Sequence, residues 1–264
     1  CFARNSNSME YERYEFTQPL YGGLNIFKIG TTLIDTGHVD PVCRDDVADA
    51  LEGPLADIDR VLHTHPHIDH IGGSQTIPEL ADLPHIVPVG EREILYDYNG
   101  YIRRARNAMT RLLESFPPEL RSWDRYFPIQ EYAEERIDIV RELSDNDTVR
   151  CGGYELEVVS TPGHANPHIA LYHEDSGTLF SGDLVDHDGR FQYGPLLADV
   201  GEYKTSLRRV RSLDPDVLVP MHGDPMTDPE TRLSQSLSNA VRTEERILDY
   251  AAANAPFYAR EYVA

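Results

Sequence analysis

A dense group of histidines constrains this chain more than any other feature. Residues 64–73 read Thr-His-Pro-His-Ile-Asp-His-Ile-Gly-Gly, which places three imidazoles and a carboxylate within six residues, at His65, His67, Asp69 and His70. Buried groups of this kind need partners, and an extended loop directs alternate side chains to the same side. His65 and His67 are therefore expected to converge on one metal ion. Asp69 and His70 can offer ligands to a neighbouring ion.

Three further candidate ligands each follow a predicted strand. His164 stands on the turn formed by residues 161–164, Asp183 follows Ser-Gly at a strand end, and His222 lies in the segment Pro-Met-His-Gly. A single histidine or aspartate at a strand end is more often a turn cap than a ligand. Four such motifs in one chain favour a common site over a solvated histidine-rich loop, because loops at strand ends are where sites form.

Short apolar runs alternate with helical patterns along most of the chain. This alternation predicts a layered α/β fold, and 264 residues can bury a substantial core in a single domain over 1–264. The predicted helices cover 41–52, Leu207–Leu213 and 229–253. The predicted strands are Leu24–Ile29, Thr31–Asp35, Asp59–His63, Ile86–Val89, Tyr154–Ser160, Ile169–His173, Thr178–Ser181 and Val217–Pro220.

Residues 91–140 differ from the rest and predict a helical insertion. They carry many aromatic side chains among Arg and Glu, and Pro117-Pro118 divides them into at least two helices. Two interpretations remain open. The insertion covers the site, so that Tyr96, Tyr101, Trp123 or Phe127 contacts an apolar acyl group, or these aromatics pack the insertion onto the body of the protein.

The charge of the chain excludes one class of partner. With 24 Lys and Arg against 45 Asp and Glu, the formal charge is −21, whereas nucleic-acid binding needs clustered cations. Only Lys28 and Lys204 are lysines, which favours a salt-adapted (halophilic) protein over a coding bias towards arginine. No apolar run approaches the roughly 18 residues of a membrane span, so we expect a soluble protein.

The three cysteines and the start of the sequence bear on the compartment. Cys1, Cys43 and Cys151 form no Cys-x-x-Cys pair, and no signal-peptide pattern is recognisable, so a cytoplasmic location is expected. Met9 would be a natural first residue, which makes residues 1–8 a leader, an added segment or a mis-assigned one.

The motifs at His65/His67/Asp69/His70, His164, Asp183 and His222 resemble those of the metallo-β-lactamase fold superfamily, in particular its glyoxalase II-like binuclear hydrolases. The resemblance implies a four-layer αββα sandwich with the site at one edge between the sheets. It implies two divalent metal ions, best matched by Zn²⁺, with iron or manganese as alternatives. By the same resemblance, His65, His67 and His164 hold the first ion, Asp69, His70 and His222 hold the second, and Asp183 bridges the two.

The resemblance also assigns supporting roles. Asp69 acts catalytically by orienting a hydroxide and passing its proton to the leaving group. His168 and Asp35 orient ligands, whereas His63 is interpreted as an ordinary strand histidine. The predicted activity is hydrolysis of a small-molecule ester, thioester or related acyl compound. The alternatives are a mononuclear iron persulfide dioxygenase-like oxidoreductase and a scaffold protein with a vestigial site, while the oligomeric state stays open.

Overall fold

Two mixed β-sheets form the centre of the protein. The computed structural model describes residues 8–18, 22–113, 137–186, 189 and 198–253. One sheet has six strands in the order β1-β2-β3-β4-β5-β6, and the other has five in the order β11-β10-β9-β8-β7. The strands are β1 Glu12–Gln18, β2 Gly22–Ile29, β3 Thr32–Ile34, β4 Arg60–Leu62, β5 Pro84–Pro88, β6 Asp138–Leu143, β7 Thr148–Cys151, β8 Tyr154–Ser160, β9 Ile169–His173, β10 Thr178–Gly182 and β11 Val217–Pro220.

Helices lie before, between and after these strands. The described α-helices are α1 Pro41–Leu51, α2 Ile68–Thr76, α3 Pro78–Ala81, α4 Glu91–Tyr96, α5 Tyr98–Leu113, α6 Val200–Ser212 and α7 Pro229–Ala253. Asp40 and Asp199 cap the first turns of α1 and α6 by accepting hydrogen bonds from backbone N–H groups. In the described part of the chain, no helix combines the length and hydropathy that a membrane span requires.

The main apolar core lies between the two sheets. Phe27 and Ile34 of the six-stranded sheet share one buried cluster with Leu156, Phe180 and Val219 of the five-stranded sheet. The rings of Phe27 and Phe180 meet edge to face with centroids 5.3 Å apart, an arrangement that aromatic quadrupoles favour. Burial of these inner faces holds the two sheets together, because apolar surface removed from water is the dominant stabilising term.

Helices cover the outer face of each sheet. Cys43 and Val47 of α1 pack on Leu33 and Val61 of the six-stranded sheet. On the other side, α6 and α7 pack on the five-stranded sheet through a cluster made of Val159, Ala170, Tyr172, Leu179, Leu184, Val185, Tyr203, Leu207, Val210, Leu218, Met226, Leu233 and Ala240. The predicted α/β fold with a four-layer αββα arrangement is confirmed.

Sequence patterns missed three strands, β1, β6 and β7. All three lie at sheet edges and have a single neighbouring strand, β1 and β6 in the six-stranded sheet and β7 in the five-stranded sheet. β1 and β6 have few buried side chains and lack the continuous apolar run or regular alternation that marks a strand, whereas β7 spans only four residues. β6 begins at Asp138, close to the predicted end of the insertion at about residue 140.

The described part of the predicted insertion consists of helices α4 and α5. Tyr98 and Tyr101 are buried in an apolar cluster with Ile71 of α2 and Val87 of β5, which favours the packing interpretation for these two tyrosines. Tyr96 is 53% exposed. Pro117, Pro118, Trp123, Phe127 and the rest of 114–136 lie outside the described residues.

The direction of the strands brings the candidate site residues to one edge. Strands β3, β4, β5 and β6 run parallel to one another, as do β10 and β11. The carboxyl ends of parallel strands meet at the same edge of a sheet, where open α/β sheets place their ligands. Asp35 follows β3, the histidine-rich segment follows β4, Asp183 follows β10 and His222 follows β11.

Candidate metal centre

The histidine-rich segment passes from a loop into a helix. After β4 the chain forms a short loop, and α2 begins at Ile68 with His67 in an extended conformation at its N-cap position. Asp69 and His70 therefore stand in the first helical turn, where a carboxylate is favoured by the helix dipole. The predicted common direction of His65 and His67 is observed, because His65 Nε2 lies 3.1 Å from His67 Nδ1.

The first donor cluster consists of three imidazoles. His164 Nε2 lies 3.0 Å from His67 Nδ1, so ring nitrogens of His65, His67 and His164 converge on one point. Burial is the main reason why the pKa of His67 falls to about 4 and why the pKa of His65 lies well below its ordinary value. The buried rings are therefore neutral and present lone pairs, which is the state in which histidine binds a metal.

The second cluster combines two carboxylates with two imidazoles. Asp69, His70, Asp183 and His222 each direct one donor atom to a common point. Asp69 Oδ2 lies 3.7 Å from His70 Nε2 and 3.5 Å from His222 Nε2. Burial raises the pKa of Asp69, but the charges on His70 and His222 outweigh burial and hold this pKa below its ordinary value.

Asp183 faces both clusters. Its Oδ2 lies 3.3 Å from His70 Nε2, 3.3 Å from His222 Nε2 and 3.5 Å from His164 Nε2. Burial opposes the charged imidazolium of His222, yet Asp183 and Asp69 raise the pKa of His222 to about 12. The two carboxylates of this cluster therefore favour a positive charge beside them. Either protons on the imidazoles or a bound cation can supply this charge, and protons and cations compete for the same nitrogen atoms.

Asp35 sets the orientation of both clusters. It accepts hydrogen bonds from the Thr64 N–H at 2.8 Å, the Thr64 hydroxyl at 2.7 Å and His70 Nδ1 at 2.8 Å. Because the Thr64 hydroxyl donates to Asp35, it accepts from His65 Nδ1 at 3.0 Å. In both histidines Nδ1 is thereby the bonded nitrogen and Nε2 is directed to its cluster. The structure places the predicted orienting residue Asp35 in this position.

His222 and Asp183 are held in a similar way. His222 Nδ1 donates to the carbonyl oxygen of Gly23 at 3.0 Å, which directs Nε2 to the second cluster. His168, predicted as a supporting residue, accepts a hydrogen bond from the Asp183 N–H at 3.1 Å. A Cβ atom on Gly182 would lie 2.6 Å from His168 Nε2, so this contact requires glycine.

The donor set fits a pair of divalent cations. Imidazole nitrogens and carboxylate oxygens suit zinc, iron and manganese, and no thiolate stands among them. His70 Nε2 and Asp183 Oδ1 are buried without a hydrogen-bond partner among the described residues. Buried polar atoms without partners are costly, and a cation at the second cluster would satisfy His70 Nε2, which faces Asp183 Oδ2 there.

All seven residues predicted as ligands are brought together, whereas sequence reasoning missed others nearby. Gln18, the last residue of β1, donates to Asp69 Oδ2 at 3.2 Å. His38 is buried in the loop after β3 and accepts a hydrogen bond from the Asp40 N–H. Neither belongs to a recognisable motif, and Gln18 meets Asp69 only through folding, since 51 residues separate them.

Comparisons with known proteins agree with this fold and this arrangement. Residues 30–222 match the sequence profile of the metallo-beta-lactamase superfamily. A beta-lactamase-like protein 2 homolog of Drosophila melanogaster is 26% identical over 233 residues, covering 86% of this chain and 68% of that protein. The atrochrysone carboxyl ACP thioesterase of Aspergillus fumigatus is 26% identical over 232 residues, covering 86% of this chain and 44% of its own.

A solved structure extends the agreement in fold. The crystal structure of a metallo-beta-lactamase family protein from Thermus thermophilus superposes with a TM-score of 0.70 at 19% identity, covering 91% of this chain and 82% of the other. The αββα sandwich and the two clusters of potential metal ligands at one edge of the sheets are the features that define the class of metal-binding proteins to which this chain belongs. The chain belongs to the metallo-β-lactamase superfamily.

Proposed function

We propose that this protein is a binuclear metal-dependent hydrolase that cleaves acyl substrates, with thioesters as the first class to examine. One observation carries the proposal: two complete donor clusters stand side by side and share Asp183, which lies within 3.5 Å of histidines from both. The thioesterase relative supports an acyl substrate. Because this chain spans 44% of that relative's length, the substrate is part of the proposal.

The proposed ligand assignment follows the clusters. His65, His67 and His164 would hold one ion, Asp69, His70 and His222 would hold the other, and Asp183, which faces histidines of both clusters, would be shared between them. When bound, such a pair of ions lowers the pKa of water towards about 7 and polarises a carbonyl. Zn²⁺ suits this donor set best, with iron or manganese as alternatives.

Asp69 moves the proton in the proposed reaction. It is buried at the second cluster, where a bound cation would favour its ionised form, so it can accept the proton of an attacking water. It then delivers that proton to the leaving group, which departs as a neutral thiol or alcohol. Asp35 and His168 act by position, because they hold His70 and Asp183 in place.

Metal content tests this proposal. Protein purified without added metal is expected to hold about two zinc, or two mixed zinc and iron, ions per chain by elemental analysis. Asp183→Asn should lower the content to about one ion or less and abolish most hydrolysis, since an amide bridges two cations poorly. Asp175→Asn is the matched control, because Asp175 is exposed on a surface turn.

A panel of thioester, lactone and phosphodiester substrates then identifies the class. Hydrolysis of the thioesters that disappears with a chelator and returns with zinc supports the proposal. A single iron per chain, together with oxygen consumption on a persulfide, would establish the dioxygenase-like alternative instead.

A further inference from the structure

Gln18 is a buried amide at the edge of the candidate metal centre. It is the last residue of β1, opposite Gly22 in the β1–β2 pair, and only 3% of its surface is exposed. The same pair of strands supplies the Gly23 carbonyl that holds His222. Gln18 therefore lies in a paired strand, which is a more exact support for a side chain than a loop.

The hydrogen bond to Asp69 fixes which end of the amide faces the cluster. Gln18 Nε2 lies 3.2 Å from Asp69 Oδ2, the oxygen that also faces His70 and His222. An ionised carboxylate can only accept hydrogen bonds, so the amide nitrogen must face Asp69. Gln18 Oε1 is then directed away from Asp69.

The other end of this amide has no partner. Gln18 Oε1 is buried and accepts no hydrogen bond from any residue in the described part of the chain. A buried acceptor without a donor is unfavourable, and it is rare in native proteins outside functional positions. Oε1 lies one amide group from the proposed ligand Asp69, so a molecule bound at the metal centre is the candidate that could supply the donor.

We propose that Gln18 determines specificity: its amide nitrogen positions Asp69, and its amide oxygen accepts a hydrogen bond from an N–H or O–H group of the acyl substrate. The inference rests on the proposed hydrolase function. Two parts of a substrate can provide this donor, a hydroxyl beside the scissile carbonyl or an amide N–H on the leaving-group side. A substrate without a donor leaves Oε1 unpaired and binds more weakly.

Paired probes test the acceptor role. The first pair of thioesters carries or lacks a hydroxyl on the acyl group, and the second carries an amide N–H or an N-methylated amide on the thiol side. Ketone analogues of all four, which cannot be hydrolysed, report binding by itself. We expect the wild-type protein to prefer the donor in one pair by about tenfold, in both kcat/KM and ketone affinity. The pair that responds identifies the source of the donor.

Two substitutions separate the two ends of the amide. Gln18→Met removes donor and acceptor at similar size, so it should reduce the preference to about one and weaken zinc affinity about tenfold. Gln18→Glu keeps an acceptor at Oε1 and replaces the amide N–H that faces Asp69 with a carboxyl group, so it should retain the preference of the wild-type protein. Gln75→Met is the control, because Gln75 is buried and forms no hydrogen bond with a proposed ligand among the described residues.

Each result decides the matter. The inference is supported if Gln18→Met loses the preference for donor-bearing probes while Gln18→Glu and Gln75→Met keep it. A preference that survives Gln18→Met, or no donor preference in either wild-type pair, overturns it, and so does an equal loss of rate on all probes. Donor-dependent ketone binding without thioester hydrolysis would instead refute the proposed function while leaving the role of Gln18 intact.

Discussion

Asp35 orients residues of both donor clusters through a single carboxylate. Its two oxygens accept from three donors, two on Thr64 and one on His70, and its own N–H donates to the Leu62 carbonyl at 2.9 Å. It adopts a φ of 60°, which a non-glycine residue rarely does and aspartate tolerates better than most. Strained residues of this kind persist where surrounding contacts over-determine them.

Replacing Asp35 with Asn should weaken metal binding. An amide offers one acceptor oxygen and one NH2 group, so either Thr64 or His70 would face an N–H group in place of an oxygen. We expect zinc affinity to fall about 10- to 100-fold, as measured by competition with a chromophoric chelator. Asp46→Asn, on the exposed side of α1, is the control. Unchanged affinity in Asp35→Asn would show that His70 is oriented by other contacts.

At this scale the sequence reveals the ligands and, through the family resemblance, the supporting residues Asp35 and His168, but it does not reveal Gln18. His65, His67, Asp69 and His70 are evident because few other structures explain so many donors in six residues. Gln18 is invisible, because its position depends on the register of β1 with β2 and on the approach of two distant segments. A local pattern cannot encode a contact that only the tertiary fold creates.

A buried network of hydrogen bonds connects helix α4 to the six-stranded sheet. Glu91, its first residue, lies 2.8 Å from His63 Nδ1, and His63 Nε2 lies 3.2 Å from His85 Nδ1. His85 Nε2 donates to the Leu80 carbonyl, so His85 Nδ1 must accept a hydrogen bond. His63 Nε2 then carries the hydrogen, and His63 Nδ1 accepts one from a protonated Glu91. His63 thus links strand β4 to the start of α4.

The pKa shifts agree with this neutral network. Burial lowers the pKa of His63 to about 4 and holds the pKa of Glu91 well above its ordinary value. His63, His85 and Glu91 are all fully buried, and the low dielectric of the interior disfavours their charged forms. Glu91 is therefore a carboxylic acid that donates a hydrogen bond at neutral pH.

Glu91→Gln should consequently be tolerated. Its amide N–H replaces the acid hydroxyl as donor to His63, so we expect a free energy of unfolding within about 0.5 kcal/mol of wild type. Glu91→Ala leaves a cavity and an unpaired His63 Nδ1 and should cost about 2–4 kcal/mol. Urea unfolding measures both, with Glu93→Gln on the exposed side of α4 as control.

The pH dependence provides a second measure. Because the pKa of Glu91 is raised in the folded state, its contribution to stability is full below the ordinary glutamate pKa and is lost as pH rises through the raised value. Glu91→Gln has no such proton to lose. The free energy of unfolding of Glu91→Gln relative to wild type should therefore increase as pH rises. If Glu91→Gln is instead as unstable as Glu91→Ala, Glu91 is ionised in the wild-type protein.

Strands with mostly buried side chains are predictable, including the edge strand β11, whereas exposed edge strands are not. The strands β2, β4, β9 and β10 are apolar along most of their length because both of their faces are covered. The helix predicted over 229–253 is observed at Pro229–Ala253, since its apolar residues recur at helical spacing. The edge strands β1 and β6 pair on one side only, and their exposed polar residues resemble those of loops.

For the whole molecule, the formal charge of −21 is the dominant electrostatic feature. Such a charge destabilises the compact state through self-repulsion, which salt screens within about 10 Å at 0.1 M and about 3 Å at 1 M. The low lysine content and high acidic content favour adaptation to salt. We therefore expect salt to stabilise this protein, beyond any effect on its metal centre.

The unfolding temperature of the zinc-loaded protein should rise as sodium chloride increases from about 0.05 M to about 1 M, because screening relieves the repulsion. A matched variant isolates this cause. Replacing four exposed acids (Asp46→Asn, Glu79→Gln, Asp82→Asn and Asp175→Asn) changes the formal charge from −21 to −17. At low salt the variant should be the more stable protein, and the two unfolding temperatures should converge at high salt. If both proteins respond equally to salt, repulsion among these acids does not limit stability, and the acidic composition must be explained by hydration.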